Sequence, residues 1–119
     1  MIKLMIIDDQ ASTRTGVRML LDLEPDIHVV GEAANREEAL ARVESLHPDL
    51  VLLDLALPGA DGIELARELL ALAPALAIVI LTLHDTPANR ARAAQAGAVA
   101  FAGKHEGSPA LLAAIRSAL

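Results

Sequence analysis

The 119-residue sequence contains no cysteine and almost no aromatic side chains. Without cysteine the chain can form no disulfide, no thiolate nucleophile and no cysteine-ligated metal site. Phe101 is the only aromatic residue, because tryptophan and tyrosine are both absent. Base stacking on a nucleic acid and ring stacking on a flavin therefore lack the side chains that they normally use.

Positive charge and long apolar segments are also scarce. The formal net charge is −6, which argues against this domain binding a phosphate backbone through bulk electrostatics. The longest apolar stretch, residues 69–83, contains Pro74 and is shorter than the roughly 20 residues that cross a bilayer. Two aspartates also end the first apolar run too early for a secretory signal. We therefore expect a cytoplasmic protein with no membrane contact.

What the chain does contain is a regular alternation of strand-like and helix-like segments. Short apolar runs alternate with segments whose apolar residues recur at helical spacing. The expected strands cover Ile2–Ile7, Ile27–Val30, Leu50–Leu53, Ala77–Leu81 and Ala98–Phe101. Continuous apolar strands are typical of a parallel sheet with both faces covered. We predict one α/β domain over residues 1–119, with a doubly wound, flavodoxin-like sheet of five parallel strands in the order 2-1-3-4-5.

Turn and cap signals separate these segments. Gly31 is expected to end the second strand, and Pro58-Gly59 predicts a turn after the third. The last four helices each follow a side chain of a type that commonly caps helices, namely Asn35, Asp61, Thr86 and Ser108. Proline follows two of these residues, and proline is favoured at the first position of a helix.

Charged and hydroxyl side chains follow four of the five predicted strands. Asp8 and Asp9 come after the first strand and Asp54 after the third, while Thr82 ends the fourth and Lys104 follows the fifth. In a doubly wound sheet, ligands bind outside the carboxyl ends of the strands, where the strand order reverses. Because the first and third strands are predicted neighbours, the three carboxylates are expected to meet at one edge of the sheet.

Three converging carboxylates need a compensating charge. Two unit charges about 4 Å apart repel by roughly 4 kcal/mol at an effective dielectric constant near 20. Mg²⁺ prefers oxygen ligands and binds through one or two carboxylates plus a phosphate, so Asp8 and Asp9 predict a magnesium site. A carboxylate such as Asp54 can attack phosphorus and form an aspartyl phosphate. Lys104 and Thr82 could then contact phosphoryl oxygens.

These residues, with the run D-L-A-L-P-G-A-D-G-I-E-L at residues 54–65, resemble the receiver domain of bacterial response regulators over essentially the whole chain. The runs L-T-L-H-D at 81–85 and G-A-V-A-F at 97–101 are similar to the NarL/LuxR-type branch. The resemblance implies a CheY-like (βα)5 fold. It also implies a signalling domain of a two-component system that is phosphorylated by a sensor histidine kinase and catalyses only its own phosphotransfer and dephosphorylation.

The resemblance also implies a role for each site residue. These roles are the Mg²⁺-binding pair Asp8 and Asp9, a further metal ligand in the backbone carbonyl of Ala56, the phosphoacceptor and metal ligand Asp54, the phosphoryl contact Lys104, the switch hydroxyl Thr82 and the switch aromatic Phe101.

Two positions depart from the family pattern. Leu83 stands where a small residue often follows the switch hydroxyl, and we expect it to crowd access to Asp54. His105 stands where proline commonly follows the lysine across a cis bond. A cis bond costs roughly 3–4 kcal/mol before other residues and about 0.5–1 kcal/mol before proline, so the sequence leaves the isomer of this bond open.

Members of that branch usually carry a C-terminal helix-turn-helix domain. We therefore expect such a domain to follow in the full-length protein, with DNA bound only through it and transcription as the output. A homodimer that forms on phosphorylation is a further expectation.

Three other functions remain open. A flavodoxin-type electron carrier has the same strand order, and residues 13–16 loosely resemble a phosphate-binding loop, but Asp8 and Asp9 would repel a flavin phosphate. A phosphatase of the haloacid-dehalogenase type needs an acid two residues after its nucleophile, where Gln10 or Ala11 stands. The third alternative is a receiver that serves only as a docking module.

Overall fold

The computed structural model describes all 119 residues as a layered α/β unit. The strands are β1 (Ile2–Ile7), β2 (Ile27–Ala33), β3 (Leu50–Leu53), β4 (Ala56–Leu57), β5 (Ala60–Asp61), β6 (Ala77–Thr82) and β7 (Ala100–Gly103). The helices are α1 (Ala11–Leu21), α2 (Arg36–Leu46), α3 (Gly62–Leu72), α4 (Pro87–Gln95) and α5 (Ser108–Ser117), with a 3₁₀ turn over Lys104–Glu106 before α5. None of these helices has the length and apolar content that a membrane-crossing segment needs.

The main sheet has the strand order β2-β1-β3-β6-β7, and all neighbouring strands are parallel. Counted over this sheet alone, the order is 2-1-3-4-5, so the predicted doubly wound, flavodoxin-like fold is confirmed. The direction of winding reverses between β1 and β3, which leaves a crevice at the carboxyl ends of these two strands.

Both faces of the sheet are buried, as the continuous apolar strands predicted. Met5 and Ile7 belong to a core with α2, α3 and α4, whereas Leu4 and Ile6 belong to a second core with α1 and α5. All four residues of β3 are buried. Residues 4–7 of β1 and all of β3 are buried on both faces, so the acids that follow Ile7 and Leu53 stand where these strands leave the two helical layers.

The second strand is longer than predicted, because Gly31 does not end it. β2 continues to Ala33, with a register shift at the point where Met5 pairs with Gly31. A Cβ atom at Gly31 would lie 2.6 Å from Cδ1 of Leu46 in α2. The glycine therefore allows α2 to pack closely on the strand, and it is not a strand terminator.

The fifth strand of the main sheet lies two residues later than predicted. Gly97 has a φ of 104°, and the amide of Ala98 then donates to the carbonyl of Ala93 at 3.0 Å. This bond closes α4 at Ala98. The amide of Val99 then donates to the carbonyl of Ile78 in β6 at 2.9 Å, and β7 itself begins at Ala100. As a result, Lys104 follows immediately after the strand.

Three of the four predicted caps are confirmed, and the fourth is wrong. The side chains of Asn35, Asp61 and Thr86 each accept a hydrogen bond from an amide in the first turn of the following helix. Ser108 is itself the first residue of α5, and Gly107 precedes it with a φ of 88° and no side-chain cap.

The predicted turn at Pro58-Gly59 joins β4 and β5 in a short antiparallel hairpin that the sequence did not indicate. Gly59 has a φ of 65°, a conformation that glycine adopts without strain. The hairpin places Ala56 beside the end of β3.

Candidate functional site

The carboxylates of Asp8 and Asp54 lie side by side because β1 and β3 are paired up to Ile7 and Leu53. The amide of Asp54 donates to the carbonyl of Ile7 at 3.0 Å, which continues this pairing by one residue. Asp8 is 3% exposed and Asp54 is 6% exposed. Both carboxylates are therefore nearly withdrawn from water at the crevice of the sheet.

Asp9 completes the acidic cluster from the exposed side. Carboxylate oxygens of Asp8, Asp9 and Asp54 all lie within 4.8 Å of one another. The structure therefore brings together the three acids that the sequence placed at one edge, with one of them open to solvent.

Lys104 bridges the two buried acids. Its Nζ atom lies 2.7 Å from Oδ2 of Asp8 and 2.9 Å from Oδ2 of Asp54. The other oxygen of each carboxylate accepts a backbone hydrogen bond, from Gln10 to Asp8 at 2.9 Å and from Ala56 to Asp54 at 3.1 Å. Both buried carboxylates are thus held in a fixed orientation.

The environment keeps Lys104 charged. Burial acts to lower the pKa of its ammonium group, but the hydrogen bonds and charges of Asp8 and Asp54 outweigh burial and raise this pKa above its ordinary value. Three carboxylates and one ammonium group leave a formal charge of −2 on the cluster.

This donor set fits a hard divalent cation such as Mg²⁺. The cluster offers carboxylate oxygens and contains no histidine or cysteine ligand, which matches the preference of Mg²⁺ for oxygen ligands. Ala56 lines the same cleft as Asp9 and Asp54, so its backbone lies beside the acids. The cleft has a volume of about 170 Å³, which leaves room for a cation and a small anionic group.

Thr82 lies below the cleft and does not line it. Its side chain is fully buried, and its Oγ1 atom accepts a hydrogen bond from the amide of His84 at 3.2 Å. It pairs with Gly103 across β6 and β7, directly before Lys104.

Leu83 is 68% exposed and lines the cleft together with His84, in the position from which it would narrow access to Asp54.

Phe101 lies away from the acids. It sits on β7 opposite Ile80 and packs against the core beneath α4. The guanidinium carbon of Arg90 lies 4.6 Å from the centre of its ring. The predicted switch aromatic therefore lies outside the acidic cleft, on the surface that α4 and β7 form, which we call the α4 face.

The Lys104–His105 bond, whose isomer the sequence left open, is trans.

Arg14 is a supporting residue that the sequence reasoning missed. Its Nη1 atom donates to the backbone carbonyl of Asp8 at 2.6 Å, and its Nε atom donates to Glu32 at 2.9 Å. It thereby fixes the backbone that carries the acidic pair. The interpretation of residues 13–16 as a phosphate-binding loop is wrong, because they lie inside α1. Nothing local in the sequence distinguishes Arg14 from an ordinary surface arginine of that helix.

A larger cleft exists elsewhere, but its chemistry is different. It has a volume of about 450 Å³ and lies at the amino ends of the strands, among residues such as Val43, Pro48 and Leu76. Its one acid, Asp49, accepts a hydrogen bond from the amide of Lys3 at 2.8 Å. Only the smaller cleft combines buried acids with a cation.

Comparison with known proteins identifies the family to which the chain belongs. The family described as response regulator receiver domain matches residues 4–116. The chain belongs to this family. The predicted resemblance to response regulator receivers is therefore confirmed.

Relatives place the receiver in the predicted branch. The chain is 38% identical to the response regulator GacA of Pseudomonas syringae pv. syringae, over 98% of this chain and 54% of that protein. It is 41% identical to the DNA-binding transcriptional activator DevR/DosR of Mycobacterium tuberculosis, over 85% of this chain and 46% of that protein. The crystal structure of a LuxR-family response regulator from an Aurantimonas species superposes with a TM-score of 0.91 at 37% identity, covering 98% of this chain and 83% of that one.

The receiver spans about half the length of the curated relatives that it matches. These comparisons establish the family and its signalling context.

Proposed function

We propose that the receiver accepts a phosphoryl group on Asp54 from a phosphohistidine of a sensor kinase in the cytoplasm. The observation that carries this proposal is the environment of Asp54. It is a buried carboxylate held between the ammonium group of Lys104 and the amide of Ala56, and it lies beside the acidic pair Asp8 and Asp9.

In the proposed transfer, a carboxylate oxygen of Asp54 attacks phosphorus and forms a new O–P bond. The P–N bond to the kinase histidine breaks, and its electron pair stays on the imidazole nitrogen. Lys104 moves from the carboxylates to a phosphoryl oxygen, where its positive charge is again compensated. When bound at Asp8, Asp9, Asp54 and the carbonyl of Ala56, Mg²⁺ would supply charge neutralisation and hold a phosphoryl oxygen.

Thr82 and Phe101 are proposed to transmit the change. The Thr82 hydroxyl would leave the His84 amide and donate to a phosphoryl oxygen, and Phe101 would turn into the space that this movement opens. Such a local electrostatic event can shift a two-state surface. The affected surface consists of α4, β7 and α5.

We propose transcriptional control as the output of the full-length protein. DevR/DosR is named a DNA-binding activator, and its greater length suggests that DNA is bound by a helix-turn-helix domain outside the receiver. A phosphorylation-dependent homodimer would join two such domains. Extending the reading frame beyond residue 119 and finding no such domain would remove this part of the proposal.

The phosphoacceptor is tested with acetyl phosphate and Mg²⁺. Intact-mass spectrometry should show one added phosphoryl group on the wild type, and chelation of Mg²⁺ should abolish the addition. Asp54→Asn keeps the shape of the side chain and removes the nucleophile, so it should stay unmodified. Asp61→Asn is the matched control, since Asp61 caps α3 through one carboxylate oxygen and asparagine also caps helices.

Labelling of Asp54→Asn to the wild-type level would show that the acceptor lies elsewhere. Absence of labelling in the wild type and in Asp61→Asn alike would favour a receiver that serves only for docking.

A further inference from the structure

Arg90 covers the only aromatic ring of the receiver. Its guanidinium group stacks over Phe101, with 4.6 Å between the guanidinium carbon and the ring centre. A guanidinium at this distance is attracted to the face of the ring. Arg90 side-chain exposure is 44%, so the contact lies at the surface of the α4 face and is not part of the packed core.

Two carboxylates fix the orientation of the Arg90 guanidinium. Its Nε and Nη2 atoms donate to the two oxygens of Asp85 at 2.6 and 2.9 Å. The Nη2 atom also donates to Oε1 of Glu106 at 3.2 Å, and this oxygen accepts the amide of Gly103 at 2.6 Å. We name Asp85, Arg90 and Glu106 the Arg90 clasp.

Asp85 is the firmest anchor of the clasp. Its side chain is only 14% exposed, and a two-pronged guanidinium–carboxylate pair is geometrically specific. The hydrogen bond from Arg90 holds the pKa of Asp85 below its ordinary value, so the carboxylate stays ionised near neutral pH.

The clasp joins the two loops that flank the site. Asp85 follows Thr82 by three residues, and Glu106 follows Lys104 by two. The first loop follows the proposed switch hydroxyl at the end of β6, and the second contains the proposed phosphoryl contact. Movement of Thr82 toward the cleft would displace the loop that holds Asp85, and Phe101 could turn only if Arg90 left its ring.

We infer that Arg90 is a positioning residue that holds Phe101 and both loops in the resting arrangement and opposes activation. This inference rests on the proposed phosphorylation switch. It adds the residues that set the equilibrium between the resting and the activated arrangement before phosphorylation. If the clasp stabilises the resting state, its removal enlarges the fraction of molecules competent to bind a phosphoryl group. The apparent affinity for a phosphoryl mimic then rises in proportion to that fraction.

The sole phenylalanine allows a direct test. Expression with para-fluorophenylalanine should give a single fluorine NMR resonance, because Phe101 is the only site of incorporation. Beryllofluoride is titrated at fixed Mg²⁺, and the shift of this resonance and of the backbone amides around Asp54 is followed. We expect Arg90→Gln to lower the half-saturating beryllofluoride concentration about two- to fivefold, the factor that corresponds to an exposed cation–π contact.

Two further variants separate the clasp from general effects on α4. Arg92→Gln is the matched control, since Arg92 lies on the same helix and is 55% exposed but pairs with Asp61. It should titrate like the wild type. Asp85→Asn keeps Arg90 and weakens its anchor, so it should lower the half-saturation in the same direction, and it replaces Arg90→Gln if that variant does not fold.

A half-saturating concentration in Arg90→Gln that equals or exceeds that of Arg92→Gln would overturn the inference. The proposed function fails separately, if beryllofluoride leaves the amides around Asp54 of the wild type unchanged. Even then the clasp can be assessed without ligand. A Phe101 resonance that is identical in Arg90→Gln and Arg92→Gln would show that Arg90 does not hold the ring.

Discussion

At the scale of single residues, Lys104 is what allows two carboxylates to be buried at the crevice. An unpaired buried charge is strongly unfavourable, and removal of one partner of a buried pair commonly costs about 3–5 kcal/mol. Lys104 contacts both Asp8 and Asp54, so the two buried acids share one ammonium group. Asp9 makes no contact with Lys104, and it is the exposed member of the cluster.

Asp9→Asn should therefore separate metal binding from folding. We expect Mg²⁺ to raise the melting temperature of the wild type, since a ligand at ten times its dissociation constant stabilises the folded state by about 1.4 kcal/mol. Asp9→Asn removes one negative charge from the cluster, so the metal-free protein should be at least as stable and the Mg²⁺ response smaller. Circular dichroism is the suitable probe, because the chain has no tryptophan or tyrosine.

Asp22→Asn is the control for this measurement. Asp22 is also exposed, but it follows the end of α1, away from the cluster. Its Mg²⁺ response should match that of the wild type. An undiminished response in Asp9→Asn would place the metal elsewhere.

At the scale of elements, the backbone that follows β3 packs closely on the first residue of α3. A Cβ atom at Gly62 would lie 2.5 Å from Cα of Leu55 and 3.0 Å from the carbonyl oxygen of Asp54. These are backbone atoms and cannot rotate away. The first residue of α3 therefore helps to set the position of Asp54, the proposed phosphoacceptor.

Gly62→Ala should destabilise the receiver and slow phosphorylation by acetyl phosphate, because the backbone that carries Asp54 must shift. We expect a loss of about 1–3 kcal/mol, typical of an overpacked site, measured by urea unfolding. Gly16→Ala is the contrasting control, since a Cβ atom there meets no atom within 4 Å. Alanine in the interior of α1 should stabilise by roughly 0.5–1 kcal/mol. Equal stability of both variants would refute the steric argument.

The elements also show how far the sequence could predict this receiver. Apolar runs that end in acids are local patterns, so the sheet order and the meeting of Asp8, Asp9 and Asp54 could be predicted. The length of β2 could not, because Gly31 is explained only by its contact with α2. The same holds for Arg90, whose pairing with Asp85 and Glu106 depends on how two loops fold together.

At the scale of the whole molecule, arginines tie together elements that are distant in the sequence. Arg116 of α5 donates to Asp26 and Glu24 before β2, at 3.1 and 2.7 Å. Arg36 of α2 pairs with both carboxylate oxygens of Glu68 in α3. These ion pairs lie at the surface, where each contributes little to stability and is screened by salt. The Arg116 pairs lie on the face covered by α5, and the Arg36 pair lies on the face covered by α2 and α3.

These arginine–carboxylate pairs predict how the free energy of unfolding depends on pH. The hydrogen bond from Arg116 holds the pKa of Asp26 below its ordinary value of 3.8, and the hydrogen bond from Arg36 holds the pKa of Glu68 below 4.5. A carboxyl group whose pKa is lowered by folding adds stability above its unfolded pKa, and this stability is lost as the pH falls through the folded value. Both contributions should therefore be complete at neutral pH and disappear in acid.

Arg116→Gln should show this directly in urea unfolding followed by circular dichroism. At neutral pH the variant should unfold at a lower urea concentration than the wild type, because the Asp26 and Glu24 bonds are gone. As the pH falls below about 4 the two midpoints should approach each other, since protonation of Asp26 removes its bond to Arg116 from the wild type. Arg67→Gln is the control, because it breaks only a pair with Glu64 within α3. It keeps the contacts of Arg116, so its urea midpoint at neutral pH should differ less from that of the wild type. A constant difference between Arg116→Gln and the wild type down to about pH 3 would mean that Arg116 stabilises the fold through packing of its side chain and not through its carboxylate partners.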